Sequence, residues 1–212
     1  MLEHFQKTIL KEVSFKGVGL HSGVNTVAKI IPASENYGIV FKRIDLDNNN
    51  IVQANFENVS SATLCTTLQN EFNVSVSTVE HLLAALYITG VDNALIEINN
   101  FEVPIMDGSS KEFVEKITEA GIKNLNAKRK YLKINKKFEL KEGKKTISIN
   151  TNSNCLKVDF QLVYSNEVIG TQSNQINFAD KDLRNVYTSR TFCLFEDVEK
   201  IKKIGLGKGG SL

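Results

Sequence analysis

Val79 to Ile88, which reads VEHLLAALYI, is apolar on nearly every side, and a helix of that kind has no face to offer water. Such a segment is expected deep inside a layered structure. Its start is marked by Ser77-Thr78-Val79-Glu80, the S-x-x-E spacing of a capping box, in which a serine oxygen and a glutamate close orphan N–H groups. Gly90 follows as a left-handed C-cap. A second box, Ser109-Ser110-Lys111-Glu112, precedes Phe113, Val114 and Ile117 on one helical face, and Gly121 closes that helix. Between the two helices Asn93 to Ile98 reads as a buried strand.

Strand patterns surround this helical centre. Thr8 to Phe15 alternates roughly, Thr26 to Ile31 is rich in β-formers, and Gly38-Ile39-Val40-Phe41 is a short apolar run. Asp45 to Glu57 is polar and Asn-rich, a loop or small inserted hairpin. Lys123 to Lys130 is short, polar and basic, which places a domain boundary near Ala127. Strands then restart: Tyr131 to Leu140 and Thr146 to Asn150 flank a Glu142-Gly143 turn, a hairpin pattern. Leu156, Val158, Phe160 and Leu162 alternate with Lys157, Asp159 and Gln161, so one face is expected in a core. Asp180 to Arg184 and Val198 to Ile204 have helical character. The second half thus opens like another α+β unit and stops at Leu212 after a glycine-rich loop, so a truncated second domain is expected.

Composition excludes several classes. The chain of 212 residues has 26 Lys and Arg against 24 Asp and Glu, a formal charge of +2, and lacks the basic excess of a nucleic-acid binder. No run of about 18 apolar residues is present to span a membrane, and the first residues hold no uninterrupted apolar signal core. Cys65, Cys155 and Cys193 are odd in number and far apart, which argues against a disulfide framework and for a reducing cytoplasm.

Four clusters offer chemistry. Glu80 and His81 are adjacent on the apolar helix; an imidazole that binds zinc beside a carboxylate that takes a proton from zinc-bound water is what a metal hydrolase requires. The plainer reading gives Glu80 a capping job and His81 a packing one, and no second histidine follows at HExxH spacing. Gly17 to Gly23 (GVGLHSG) resembles a dinucleotide fingerprint but has Ser22 at the sixth position and a strand after it, so a tight glycine hairpin turn is favoured. Gly205 to Ser211 (GLGKGGS) lacks the order of a P-loop; its backbone suits an anion nest, a close approach to a ligand, or a flexible surface loop. Thr188 to Phe192 offers hydroxyls, a guanidinium and a ring, and by itself means little.

Taken in order, GVGLHSG, Leu64 to Leu68 (LCTTL), Ser77 to Ala85 (STVEHLLAA), Gly90 to Ala94 (GVDNA), Val103 to Ser109 (VPIMDGS), Ser189 to Phe192 and Gly209-Gly210-Ser211 resemble the UDP-3-O-acyl-N-acetylglucosamine deacetylases of lipid A synthesis, and the similarity runs the length of the chain. The resemblance implies an α+β fold of two related domains, each a β-sheet layered with helices, with the helices sandwiched between the sheets. The first would span 1–126 with a small β insert near 43–69, the second 127–212 with an insert beginning near 191. It further implies cytoplasmic hydrolysis of the N-acetyl group of UDP-3-O-(3-hydroxyacyl)-N-acetylglucosamine with release of acetate, in a Gram-negative bacterium. A monomer is expected for the full-length enzyme.

By the same resemblance His81 is a Zn2+ ligand, Glu80 the general base, and the Thr191 hydroxyl a partner of the oxyanion. Leu20, Leu64, Cys65, Phe192, Val198, Gly207, Gly210, Ser211 and Leu212 correspond to positions lining the acyl passage and sugar pocket, with His21 beside them. Tyr164 falls where the family has an aromatic residue near the uridine, although Asn166-Glu167 replaces the usual His-Pro pair after it. The resemblance also implies that the family's remaining zinc ligands and its general-acid histidine lie beyond the equivalent of Leu212; the histidines present are His4, His21 and His81, so no other histidine supplies them here. The contrasting hypothesis is a non-catalytic protein that binds a nucleotide sugar or a subunit on the same scaffold.

Overall fold

The computed structural model describes residues 4–152, 155–180 and 182–211. It is a mixed α/β structure of several sheets and few helices, whose residues group into two compact units. One comprises Phe5–Ala127 and the segment from Tyr187 onward; the other comprises Lys128–Val186 and the residues before Phe5.

In the larger unit the chain lays down β1 (Phe5–Ile9), β2 (Val13–Val18), β3 (Asn25–Pro32), β4 (Ile39–Arg43) and β5 (Ile51–Gln53), then a 3-10 turn at Phe56–Asn58. The strands β6 (Val59–Ser61), β7 (Thr67–Gln69) and β8 (Ser75–Ser77) follow, then α1 (Glu80–Thr89), β9 (Ala94–Ile98), α2 (Lys111–Ala120) and β10 (Ile122–Lys128). Five strands form the main sheet in the order β2-β3-β9-β4-β5, with β4 and β9 parallel and the other pairs antiparallel. The strands β6-β7-β8 make a separate three-stranded sheet, and β1 pairs with β10.

The single strand expected from Thr8 to Phe15 is two, because the chain turns at Leu10, where the Leu10 N–H donates to the Gly121 carbonyl at 2.7 Å. The stretch expected to be a loop or inserted hairpin instead contributes β5, an edge strand of the main sheet.

The central strand β9 alternates as its pattern predicts, burying Ala94, Ile96 and Ile98. Both helices pack into the core beside it. Phe113 of α2 meets Phe15 of β2 with ring centroids 4.8 Å apart and planes at 57°, and both rings are fully buried. In α1, Leu82, Ala85 and Leu86 are buried with Val79, whereas Ala84 and Tyr87 reach the surface. The helix is therefore covered on one side rather than all round. Gly90 ends it at φ 77, donating to the carbonyls of Leu86 and Tyr87 as the cap pattern predicts. The next residues anchor β1: Asp92 accepts the Lys7 N–H at 2.8 Å, and buried Asn93 accepts from the Gly38 N–H at 2.9 Å while donating to Gln6.

The smaller unit contains two antiparallel hairpins, β11 (Phe138–Glu142) with β12 (Lys145–Ile149) and β13 (Lys157–Val163) with β14 (Thr171–Asn177). Gly143, at φ 59, forms the first turn as expected. The expected core face of β13 does not form one: Leu156, Val158, Phe160 and Leu162 each keep 36–45% of their surface exposed. Each hairpin is a sheet of two strands only, and a two-stranded ribbon cannot enclose its own apolar face. Arg184–Tyr187 forms one helical turn, α3, and Phe195–Lys203 forms α4.

The burial pattern sets a stability expectation. Phe113→Ala removes a fully buried ring from the α2–β2 contact and is expected to cost about 3–5 kcal/mol in urea unfolding. Phe56→Ala, at a ring that is 85% exposed, is expected to stay within about 0.5 kcal/mol of the parent.

Candidate active site

Glu80 and His81 form the first turn of α1 without the expected capping box. The N-cap is Val79, in right-handed helical geometry and with no side-chain cap bond. Ser77 belongs to β8, and its hydroxyl donates to the Phe101 carbonyl at 3.2 Å. Thr78 adopts φ 56, so the chain reverses between strand and helix and Ser77 sits on the wrong side of that reversal to cap α1. The Glu80 carboxyl instead accepts the Thr66 N–H through Oε2 at 3.1 Å, while the Thr66 carbonyl accepts the Val79 N–H at 3.4 Å. The segment Leu64-Cys65-Thr66 is thereby held against the start of α1. Leu64 is exposed at φ 61, and Cys65 is half-buried with Sγ 3.8 Å from the Thr67 hydroxyl.

The second box is also only half realised. The Ser109 hydroxyl accepts the Lys111 N–H at 3.1 Å, but Glu112 turns to Lys116 at 2.8 Å, one turn along α2. Ser110 donates to the His81 carbonyl at 2.9 Å and so ties the start of α2 to the turn carrying His81.

His81 is half-buried. Burial pushes its imidazole below the ordinary histidine value, against the opposing pull of the Glu80 and Asp107 carboxylates. Neutral imidazole is the form that binds a metal. Asp107 is held below the usual carboxylate range chiefly by the Ser109 hydroxyl at 2.6 Å, against partial burial, with the Ser109 N–H and Arg190 adding to the effect. Arg190 reaches Asp107 at 3.2 Å, and the next residue, Thr191, donates its N–H to the Gly108 carbonyl at 2.8 Å. The exposed Thr191 is thus docked on the loop whose Asp107 acts electrostatically on His81.

The two glycine motifs meet. Gly17 to Gly23 is the turn of the β2–β3 hairpin, closed by Gly19 N–H to Val24 O at 2.9 Å, and no helix follows it. The hairpin reading holds and the dinucleotide one does not. Against this turn lies the C-terminal loop: Gly209 donates to the Leu20 carbonyl at 2.9 Å and Lys208 to the His21 carbonyl at 3.4 Å. A Cβ at Gly209 would collide with the Gly19 carbonyl oxygen, so close backbone approach accounts for this glycine. Leu20 is half-buried beside Gly210, Gly207 precedes it in the loop, and Ser211 is exposed. His21 is buried, with neither ring nitrogen hydrogen-bonded among the described residues.

Phe192 is 56% exposed next to Thr191, and Val198 is half-buried in α4. Tyr164 belongs to the hairpin unit, where its N–H donates to the Gly170 carbonyl at 2.9 Å. Leu212 lies outside the described residues.

Sequence reasoning missed Glu102, which is fully buried and accepts from the His21 N–H, the Ser22 N–H and the Thr78 hydroxyl at 2.7–2.9 Å. A lone acid within Phe101-Glu102-Val103-Pro104-Ile105 was the available signal. The Asp107–Arg190 pair was likewise unread, being far apart in the chain.

A catalytic zinc takes about three protein ligands and a water. Among the described residues no group of three or more His, Cys, Asp or Glu side chains is gathered to hold a metal. His81 offers one imidazole of the right character, which falls short of a complete site.

Comparison with known proteins matches the sequence to one family. The family model for UDP-3-O-acyl N-acetylglycosamine deacetylase (LpxC) matches residues 6–212. The chain is 40% identical over 208 residues to the UDP-3-O-acyl-N-acetylglucosamine deacetylase of Nautilia profundicola, covering 98% of this chain and 70% of that protein. It is 39% identical to the enzyme of that name from Geotalea uraniireducens and 36% to that of Haemophilus ducreyi, over 98% of this chain and 67% and 69% of those proteins. The matched span of residues 6–212 extends over the Glu80-His81 turn, both glycine loops and the Thr191 segment, and the chain belongs to the UDP-3-O-acyl N-acetylglycosamine deacetylase family.

Proposed function

We propose that the protein is a zinc-dependent amidohydrolase of lipid A biosynthesis. It would hydrolyse the N-acetyl group of UDP-3-O-(3-hydroxyacyl)-N-acetylglucosamine in the cytoplasm of a Gram-negative bacterium. The observation that carries this reading is the first turn of α1, where Glu80 is tethered through one oxygen to the Thr66 N–H beside the half-buried His81 imidazole, whose pKa burial lowers.

Each side chain then has a job. Glu80 Oε1 takes a proton from the attacking water while Oε2 remains on Thr66, so the base is aimed before substrate arrives. His81 would contribute one imidazole to zinc, whose chemistry when bound is to acidify water and polarise a carbonyl; among the described residues no group of three ligating side chains is gathered around it. The Thr191 hydroxyl, positioned through Gly108, donates to the oxyanion formed when water adds to the acetyl carbon. Cleavage of the C–N bond then yields acetate and the free amine.

Leu20, His21, Leu64, Cys65, Phe192, Val198, Gly207, Gly210, Ser211 and Leu212 are proposed to contact the acyl chain and sugar, and Tyr164 the uridine. The contact of the Gly209 loop with Leu20 and His21 supports treating the two loops as one surface. Residues 1–126 and 127–212 are read as belonging to two related α+β domains, each a β-sheet layered with helices. The division of contacts at Ala127 supports that boundary, while the segment from Tyr187 groups with the first. No described helix is long and apolar enough to cross a membrane.

A non-catalytic nucleotide-sugar or subunit-binding protein on this scaffold is the second reading, favoured by the incomplete ligand set. Acetate release from the UDP-sugar by the zinc-loaded protein supports the enzyme; saturable binding of it by the zinc-loaded protein without acetate release supports the second reading.

Two further outcomes are expected. The 212-residue chain, purified without a histidine tag and dialysed, should retain well under one zinc per chain. One retained equivalent that disappears in His81→Ala would mean that three ligands converge after all. In the zinc-loaded protein, Glu80→Gln keeps an oxygen for Thr66, so fold and zinc content should be spared while turnover falls by roughly 10² to 10⁴. Ser77→Ala loses only the bond to Phe101 and should cost about 1 kcal/mol with little change in turnover of the folded protein. Equal losses in both variants, tracking unfolding, would remove Glu80 from the chemistry.

A further inference from the structure

Glu102 is fully buried, yet no step proposed above uses it. Its Oε1 accepts the His21 N–H at 2.8 Å and the Thr78 hydroxyl at 2.9 Å, and its Oε2 accepts the Ser22 N–H at 2.7 Å. Three donors from two distant segments therefore converge on one carboxyl group. On one side Thr78 stands two residues before Glu80 at φ 56, a conformation costly for a β-branched residue unless its surroundings hold it there. On the other side Glu102 fills the space that a side chain at residue 19 would need, since a Cβ on Gly19 would strike Glu102 Oε2 and Ser22 Oγ. The turn so held carries Leu20 and His21, whose carbonyls receive the N–H groups of Gly209 and Lys208.

We propose that Glu102 is a positioning residue that locks the Gly19–Gly23 turn, and the C-terminal glycine loop resting on it, to the turn presenting Glu80 and His81. Substrate-contacting loop and catalytic pair then share one frame, so a substrate seated on the loop arrives in register with the base. What loop and pair do rests on the deacetylase reading; the mechanical coupling does not.

Glu102→Gln is the central test. A glutamine has one acceptor oxygen and one NH2 group, so at least one of the His21 and Ser22 N–H groups must face a donor. In the zinc-loaded protein, under conditions where the variant is folded, kcat/KM is expected to fall about 10- to 100-fold, with kcat lowered and KM raised. The two arms should separate. Thr78→Val deletes the helix arm and should lower kcat with KM within about twofold, whereas Gly19→Ala disturbs the loop arm and should raise KM with kcat within about twofold. Simple loss of stability would reduce the active fraction and leave KM in place, so it cannot produce the raised KM of Glu102→Gln and Gly19→Ala, and for Thr78→Val kcat is taken per folded molecule.

Amide NMR of the 212-residue chain gives a readout free of activity: Glu102→Gln should shift the Glu80 and His81 amides as well as those of His21 and Ser22. A folded Glu102→Gln with parental kcat and KM, or with unmoved Glu80 and His81 amides, overturns the proposal. If that variant does not fold, Thr78→Val decides, and an unchanged kcat overturns it. If the parent enzyme releases no acetate, the deacetylase reading fails, and the amide shifts still decide the coupling.

Discussion

Insertion of β9 between β3 and β4 is the constraint from which the rest of the larger unit follows. The chain lays down β3 and β4 early, but they do not pair with each other; each bonds to opposite edges of a strand that arrives only after α1. The main sheet is therefore incomplete until distant segments meet, an arrangement of high contact order. Because β4 and β9 run parallel, the connection between them must cross over, and it carries α1 against the sheet. The apolar side of α1 finds its cover there, and Gly90 turns the chain so that Asp92 and Asn93 can fasten β1 before β9 begins.

The same insertion builds the site. Beyond Ile98 the chain passes Ser77 and Gly19 through isolated bridges at Glu102 and Pro104, and this short passage delivers Glu102, Asp107 and Ser110 in succession. Each secures a different segment: Glu102 the glycine turn and Thr78, Asp107 the segment before Thr191, and Ser110 the turn of His81. The site is thus held largely by side chains bonding to backbone, and it places reactive groups through the loops that carry them. Such bonds add specificity of geometry at modest net energy, while leaving any one buried partner unmade is expensive.

Much of this was legible from local pattern. The existence of α1 and α2, the Gly90 and Gly121 stops, the alternation of β9 and the hairpin nature of GVGLHSG all follow from periodicity and turn chemistry. The capping boxes misled because an S-x-x-E spacing specifies who could bond, and other partners, two of them tertiary and one a turn along the same helix, displaced it. Ser77 was drawn to Phe101, Glu80 to Thr66, and Glu112 to Lys116. The alternation from Leu156 to Leu162 predicted a strand correctly and a buried face incorrectly, since alternation reports what a strand can bury and not whether a second layer covers it.

Sequence alone determined the two main helices, several of the strands, the family likeness and the residue types able to do hydrolytic chemistry, because these depend on local propensity and ordered motifs. Tertiary structure decided which of those residues cooperate. Only folding brings Thr66 onto Glu80, Asp107 and Arg190 together beside Thr191, and the two glycine loops into contact. Glu102 shows the reason most plainly: nothing in its neighbours along the chain announces three donors, since all of them come from segments far from it in sequence and reach it only once the sheet has closed.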